Sequence, residues 1–336
     1  MPYQEIELKF QLPETQLRAL REDALLREQA AGTPRSRRLL SHYFDTPELL
    51  LSKQSMALRI RDSDGELEQT LKQGAANNVG VQSRNEWNTP VNALQPDPAL
   101  IESKKLRRWF KKHQAGTNLV EIFVTDISRD TFLIRQGENL LEAALDHGCI
   151  RSGARSEDIS ELELELVEGQ PAALLEFGLK LAAAYDLGLD NRSKAQRGYA
   201  LFSGEPGAAK KAQSPPLRHD MPVHAAFCAC MHSGIQQALD NMPLVFAGDD
   251  PEGVHQLRIG LRRIRAMLSV FAPILDKQES VSLKHELQWL QRSLNAARDW
   301  DVFLAETLLP LQTHAAQVSG IDALVEHARN MRAAGY

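Results

Sequence analysis

The chain has 336 residues, 43% of them hydrophobic and 25% charged, with a formal net charge of −5. That describes an ordinary globular protein with enough core for two or three domains, and it argues against a general nucleic-acid binder, which needs a positive field. Three cysteines, Cys149, Cys228 and Cys230, stand in a chain too long to need disulfides, and since Cys228-x-Cys230 lacks a second pair to complete a metal site, these two are expected to be buried thiols on a helix. With no signal peptide at the N-terminus and no apolar run approaching about 18 residues, the expected location is cytoplasmic, away from any membrane.

Residues 4–11 alternate strictly as a strand, with Glu5, Glu7 and Lys9 on one face and Ile6, Leu8 and Phe10 on the other. Pro13 precedes a helix over 14–27, where Leu17, Leu20, Leu25 and Leu26 recur at helical spacing. Further strands are predicted at 38–46, 56–62, 66–73 and 82–89, with turn signals at Asp64-Gly65 and Asn77-Asn78. A polar helix follows near 98–112, then a strand pair at 119–127 and 129–136, and strands at 140–147 and 159–167. Pro171 opens an amphipathic helix over 171–186. Residues 204–221, rich in Gly, Pro and Lys, are predicted to be a linker, beyond which helices are expected at 222–241, 251–275, 279–296, 299–315 and 320–333.

The charged alternation recurs from strand to strand. Arg59 and Arg61 alternate with Leu58 and Ile60, Arg84 is followed two places on by Glu86, and Glu161, Glu163 and Glu165 alternate with leucines. One such strand would be a solvated face. Several together predict a curved antiparallel sheet whose concave face carries both signs of charge, with helices covering its apolar outer face.

These segments resemble the CYTH superfamily, the triphosphate tunnel metalloenzymes. The resemblance rests on Glu5-x-Glu7-x-Lys9, Tyr43-Phe44-Asp45-Thr46, Leu58-Arg59-Ile60-Arg61, Thr70-Leu71-Lys72, Arg84-x-Glu86, Glu161 to Leu166, and Ser193-Lys194-x-x-Arg197-Gly198-Tyr199, and it spans residues 1–203. It implies an α+β fold in which an eight-stranded antiparallel β-barrel tunnel, wrapped by outer packing helices, precedes a separate all-α helical bundle. It also implies metal-dependent hydrolysis of inorganic triphosphate to pyrophosphate and phosphate. Class IV adenylyl cyclase, thiamine triphosphatase and a non-enzymatic polyphosphate-binding module are the alternatives.

On that reading Arg59, Arg61, Lys72, Arg84, Lys194 and Arg197 hold phosphoryl oxygens, with Arg129 and Arg135 as additions from the central strands. Glu5, Glu7, Glu163 and Glu165 are the expected ligands of Mg²⁺ or Mn²⁺, hard cations that take oxygen donors. Glu5, Glu7, Lys9 and Lys72 form the expected catalytic set, Lys9 either assisting the phosphates or orienting Glu7. Tyr43, Asp45, Glu86, Asp146 and Glu161 are assigned orienting roles, with structural pairing as the equal alternative for the first four.

Residues 222–336 carry a second pattern. His255, Arg258, Arg262 and Arg265 fall at i, i+3, i+7 and i+10 on one helix, with Arg263 beside them and no acidic residue between Val254 and Pro273. Val254-His255-Gln256-x-Arg258, Leu261-Arg262-Arg263-x-Arg265 and Arg298-Asp299-x-Asp301 resemble the CHAD domain. That resemblance implies binding of inorganic polyphosphate on a basic helical face. The family has two similar helical halves, and the stretch here is expected to correspond to about the first.

Overall fold

The computed structural model describes residues 3–74, 81–190, 192–204, 207–248, 250–314 and 320–334. They divide into two compact units, Met1–Pro206 and Gly207–Tyr336.

The first unit is built on antiparallel strands: β1 (Tyr3–Gln11), β2 (Arg35–Asp45), β3 (Met56–Ser63), β4 (Glu66–Gln73), β5 (Val81–Pro90), β6 (Val120–Gln136), β7 (Asn139–Ser152), β8 (Arg155–Glu168) and the two-residue β9 (Gly188–Leu189). Their order is β5-β4-β3-β2-β6-β7-β8-β1-β9, and β1 also pairs with β5 over Tyr3 to Leu8. Following the ladders from β1 through β8, β7, β6, β2, β3, β4 and β5 therefore leads back to β1. Such a circuit of eight strands leaves an interior lined by alternate side chains.

Register decides which residues share that interior. Across neighbouring strands Glu7 faces Glu165, Lys9 faces Glu163 and Gln11 faces Glu161. Asp146 lies between Arg129 and Glu161, and Arg59 lies between Tyr43 and Thr70. Residues of the opposite parity point outward and are apolar. Leu8, Phe10, Leu141, Leu145, Leu162 and Leu164 are buried against Leu17 and Leu20 of α1 (Glu14–Arg21), Leu26 of α2 (Ala24–Arg27) and Leu174, Phe177 and Leu181 of α5 (Pro171–Ala184). On the far wall Met56, Leu58 and Leu71 are covered by Leu51 of α3 (Leu50–Lys53) and by Leu106 and Phe110 of α4 (Lys104–Lys112). Burial of a large aliphatic or aromatic side chain contributes about 1.5–3 kcal/mol, so these helices hold the wall as well as cover it.

Two predicted elements differ. The helix expected over 14–27 is broken at Asp23, whose carboxylate accepts from the Leu25 amide at 2.7 Å and caps a fresh helix start. The strand pair expected at 119–127 and 129–136 is one continuous strand, because β6 pairs with β2 from Val120 to Thr131 and with β7 from Val124 to Gln136. Each ladder runs straight through Ser128, so no turn can form there.

One end of the interior is plugged. The helix α6 (Lys194–Ser203) starts from a capping box between Ser193 and Gln196 and packs Ala195 and Tyr199 against Tyr43, Phe123 and Ile127. Tyr43 stacks on Phe123 at 4.4 Å, and Tyr199 meets the same ring edge-on at 5.4 Å. Gly198 is required there: a Cβ would lie 2.2 Å from the Phe123 ring.

The second unit is helical: α7 (Val223–Ala247), α8 (Pro251–Val270), α9 (Lys277–Val302), a π-helical turn at Phe303–Leu308 that runs into α10 (Leu309–His314), and α11 (Ile321–Ala334). α7 and α8 touch closely, since a Cβ on Gly260 would come within 2.9 Å of the Ala238 amide nitrogen. Within the predicted linker, the stretch after Gly207 is extended chain fastened to α7. Lys210 exchanges hydrogen bonds with the Asn241 side chain at 2.9 and 2.8 Å, and Ser233 donates to the Gln213 carbonyl at 2.6 Å. Cys228 and Cys230 are not buried as expected: Cys228 is exposed and Cys230 is half-buried. The reason for Cys228 is its place near the start of α7, beside the exposed His224.

Candidate active site

A cavity of about 250 Å³ opens inside the strand circuit, with Lys9, Arg59, Arg61, Lys72, Arg129 and Lys194 among its lining residues. Glu7, Glu86, Glu163 and Glu165 line it too, with Tyr43, Asn88, Ser193 and two alanines. Among the described lining residues six cations thus meet four carboxylates, in a chain of net negative charge.

Behind the lining lie two carboxylates with no solvent exposure, Asp146 and Glu161. Asp146 accepts both arms of Arg129, Nε on Oδ1 at 2.7 Å and Nη2 on Oδ2 at 2.6 Å, and Lys194 Nζ lies 2.6 Å from the same Oδ2. Glu161 pairs with Lys194, with Arg197 Nη1 at 3.2 Å and with Lys9 at 3.6 Å. Glu163 stands in front of them and takes Lys9 at 2.6 Å, Lys194 at 2.9 Å and Arg129 at 2.5 Å. Burial opposes ionisation of Asp146 and Glu163. For Asp146 the neighbouring Arg129 and Lys194 outweigh it, and for Glu163 Lys194, Lys9 and Arg129 do, so both carboxylates titrate below their ordinary range. In return Lys9, whose burial favours neutrality, is held charged by Glu161, Glu163 and Glu7.

The opposite wall is less compensated. Partial burial of Glu86 disfavours its charge, yet Lys72 at 2.8 Å and Arg59 at 3.9 Å bring its pKa down to about 2. Arg61 donates to Ser41 Oγ at 3.2 Å, and among the described residues no carboxylate lies within ion-pair distance of it. Burial, with Arg59 and Arg129 close by, pushes its pKa down to about 9. Burial also disfavours a charged Tyr43, but Arg59, Arg61 and Lys194 pull its hydroxyl below the ordinary tyrosine value. A cation buried beside cations is a place built for an anion.

Several predicted site residues lie outside the cavity lining. Arg197 points behind the wall, donating to Glu157 at 2.8 Å and to the Asp158 carbonyl at 2.7 Å. Asp45 caps α3 through the Leu51 and Ser52 amides at 2.9 Å each and accepts from the Tyr199 hydroxyl at 3.0 Å. Arg135 is exposed near the end of β6. Glu5 and Arg84 face each other in the β1–β5 ladder, and their side chains lie outside the described residues. Sequence reasoning missed Asn88, which lines the cavity and accepts from Thr70 Oγ1 at 2.7 Å. It also missed Glu142, directly across from Glu165 on β7. Extending the alternation two places beyond Glu86 would have found Asn88.

A divalent cation has two carboxylate groupings to choose between. Asp146, Glu161 and Glu163 place ligand oxygens within 4.8 Å of one another, but the Lys194 ammonium already occupies their centre. Glu7, Glu165 and Glu142 instead form a row across β1, β8 and β7, with like charges directly opposite one another. Like charges so placed repel, and a cation between them relieves that repulsion. Hard oxygen donors in this number suit a magnesium-class ion.

A CYTH domain model matches residues 3–199, more than half of the sequence. The chain belongs to the CYTH family. A CHAD domain model matches residues 229–336 of the same chain. An inorganic triphosphatase of Haemophilus influenzae is 35% identical to this CYTH chain over 162 residues, 48% of this chain and 45% of the relative, so the match spans about half the length of that protein. Similar solved structures include the Hippeastrum adenylyl cyclase candidate HpAC1, described as having a dominant triphosphatase activity (22% identity, 60% of this chain and 97% of that one, TM-score 0.45), and an adenylate cyclase candidate from Bacillus halodurans (22%, 57% and 96%, TM-score 0.41). The CYTH family implies a divalent metal. Among the described residues no helix is long and apolar enough to cross a membrane.

In the CHAD segment the predicted arginines part company. Arg263 turns to α7, donating to Gln237 and Ser233 at 3.1 Å each, and Arg265 turns to α9, donating to Gln291 at 2.7 Å. Arg262 is exposed, and His255 and Arg258 are half-buried. Five residues that are close in sequence thus serve at least two packing contacts and one open face. Asp301, from the later motif, is buried and held by Arg332 at 2.6 Å.

Proposed function

We propose that this chain hydrolyses inorganic triphosphate to pyrophosphate and phosphate inside the tunnel, using Mg²⁺ or Mn²⁺. The observation that carries the reading is Arg61, set beside Arg59 and Arg129 with no carboxylate within ion-pair distance among the described residues, in one cavity with a row of carboxylates whose mutual repulsion a cation would relieve. An anion trap alone has no need of that row. The activity of the Haemophilus relative points the same way.

In this reading Arg59, Arg61, Lys72 and Arg129 hold phosphoryl oxygens along the substrate, the arginines through paired donors. Lys9 and Lys194 are fixed in place by Glu161 and Glu163, so they present charge without reorganising. Glu7, Glu165 and Glu142 would hold the metal, which when bound supplies charge neutralisation at phosphoryl oxygens. Water attacks the terminal phosphorus, the bond to the bridging oxygen breaks, and pyrophosphate leaves. Positioning and fixed charge then account for most of the acceleration. Among the described residues Tyr43 contributes the one aromatic ring in the lining, leaving little there to recognise an adenine or thiamine ring. The CHAD segment is assigned polyphosphate binding through Arg258 and Arg262.

The test is phosphate release from triphosphate, pyrophosphate, ATP and a medium-chain polyphosphate, with and without metal, for the wild type and Glu7→Ala. Turnover of triphosphate that needs both metal and Glu7 is the expected result. Faster turnover of ATP, or no turnover with either metal, would sink the reading.

A further inference from the structure

We propose that the outer face of α4 is a separate binding surface for a chain of inorganic phosphate. The helix reads Lys-Lys-Leu-Arg-Arg-Trp-Phe-Lys-Lys. Lys104, Lys105, Arg108, Lys111 and Lys112 are all exposed, and at 100° per residue they fall within an arc of about 120°. The opposite side buries Leu106 and Phe110 against Leu51, Met56, Leu58 and Leu71. The comb is therefore held rigidly on the outside of the β3–β4 wall.

This arrangement works against the helix that carries it. Lys104 and Lys105 sit in a first turn with no acidic residue, at the positive end of the helix dipole. Lys104 and Arg108, and again Arg108 and Lys112, are like charges at i,i+4 and repel. Among the described residues no carboxylate lies within ion-pair distance of any of the five. Upstream, Asp97 is engaged in capping the Ala99 amide at 2.8 Å, and the exposed Glu102 just before the helix makes no ion pair with any of the five. Five uncompensated cations on one face, in a chain of net charge −5, break a local rule with no gain to folding, and such places tend to be functional.

The chemistry of the face narrows the partner. The rings of this helix lie on the packed side: Phe110 is buried and Trp109 is half-buried edge-on to it at 5.3 Å. Phe110 offers no face and Trp109 is half covered, so little ring surface is offered for a nucleobase to stack on, and no fully exposed apolar side chain of this helix is presented to enter a bilayer. What remains is a row of point charges and one guanidinium, which fits a ligand that is phosphate throughout. The choice of inorganic phosphate over other polyanions rests on the reading of the tunnel.

The experiment titrates the full chain, in EDTA to prevent turnover, with medium-chain inorganic polyphosphate, an oligothymidylate of similar charge and anionic phosphatidylglycerol vesicles. The variants are Lys105→Glu/Arg108→Glu/Lys112→Glu and, for the other basic surface, Arg258→Ala/Arg262→Ala. The expected result is that the α4 variant weakens polyphosphate binding at least about tenfold and lowers the salt slope by about three. Its melting temperature should hold or rise, since like-charge repulsion is relieved, and its kcat on triphosphate should not change. Unaltered polyphosphate affinity and salt slope in the α4 variant would overturn the proposal, as would equal affinity for the oligothymidylate or the vesicles. If triphosphate turnover is absent while the α4 variant still loses polyphosphate, the tunnel reading fails and the surface stands.

Discussion

Lys194, the first residue of α6, places its ammonium 2.6 Å from Oδ2 of Asp146, a carboxylate on β7 with no solvent exposure. That contact ties the plugging helix to the barrel and sets the charge of the cavity floor at the same time. Asp146 also receives Arg129, so the two cations share one buried anion.

Replacing Lys194 by Met should therefore damage fold and site together. Asp146, Glu161 and Glu163 would lose a shared counter-ion in a buried setting, and breaking a buried pair from one side costs about 3–5 kcal/mol. The expected outcome is a matching loss in urea unfolding, with triphosphate turnover reduced even where the protein remains folded. An unchanged unfolding midpoint would show that the contact adds nothing to stability.

Arg61→Ala should separate the two properties. Arg61 has Ser41 as its hydrogen-bond partner and sits beside Arg59 and Arg129, so removing it relieves repulsion. Stability should be equal or higher. If it stabilises charge developing on the phosphoryl group, kcat/KM for triphosphate should fall by about 10²–10³. Thermal melting and steady-state kinetics on one preparation check both.

The same residue predicts an alkaline limb. Its pKa is pushed down to about 9 from 12.5 in the folded chain, so between those values the unfolded chain binds the extra proton and stability rises with pH. Substrate affinity runs the other way, because the anion needs the charged guanidinium. KM for triphosphate should climb as the pH passes about 9, and the climb should flatten in Arg61→Ala. A wild-type KM that stays level there would contradict the assignment.

Glu86 predicts an acid limb. Lys72 and Arg59 hold its pKa near 2, below the ordinary 4.5. A depressed carboxylate contributes stability above its unfolded pKa and loses it as the pH falls toward the folded value. The urea midpoint should hold steady above about pH 5 and decline between about pH 4.5 and 2, with a shallower decline in Glu86→Gln. Titration of both proteins by tryptophan fluorescence measures the difference.

The sequence by itself determined the alternation that builds this chain. Glu5-x-Glu7-x-Lys9 and Glu161-x-Glu163-x-Glu165 could be assigned to one face because the strand period is two, whatever surrounds the strand. The outward leucines, covering helices over 14–27 and 171–186 (the first broken at Asp23 in the fold), and the change to an all-helical second unit followed from the same periodicities.

Only the tertiary structure decided depth and partner. Asp146 and Glu161 lie behind the cavity and Glu163 in front, although their residue type and parity are alike, because α6 arrives over that part of the wall and inserts Lys194 and Arg197 between them. Whether β6 would be one strand or two depended on β2 and β7 both pairing across Ser128. Arg263 and Arg265 were indistinguishable as letters in one basic run, and the positions of α7 and α9 sent them to different neighbours. Periodicity assigns a face. What lies against that face is set by contacts between residues far apart in the chain.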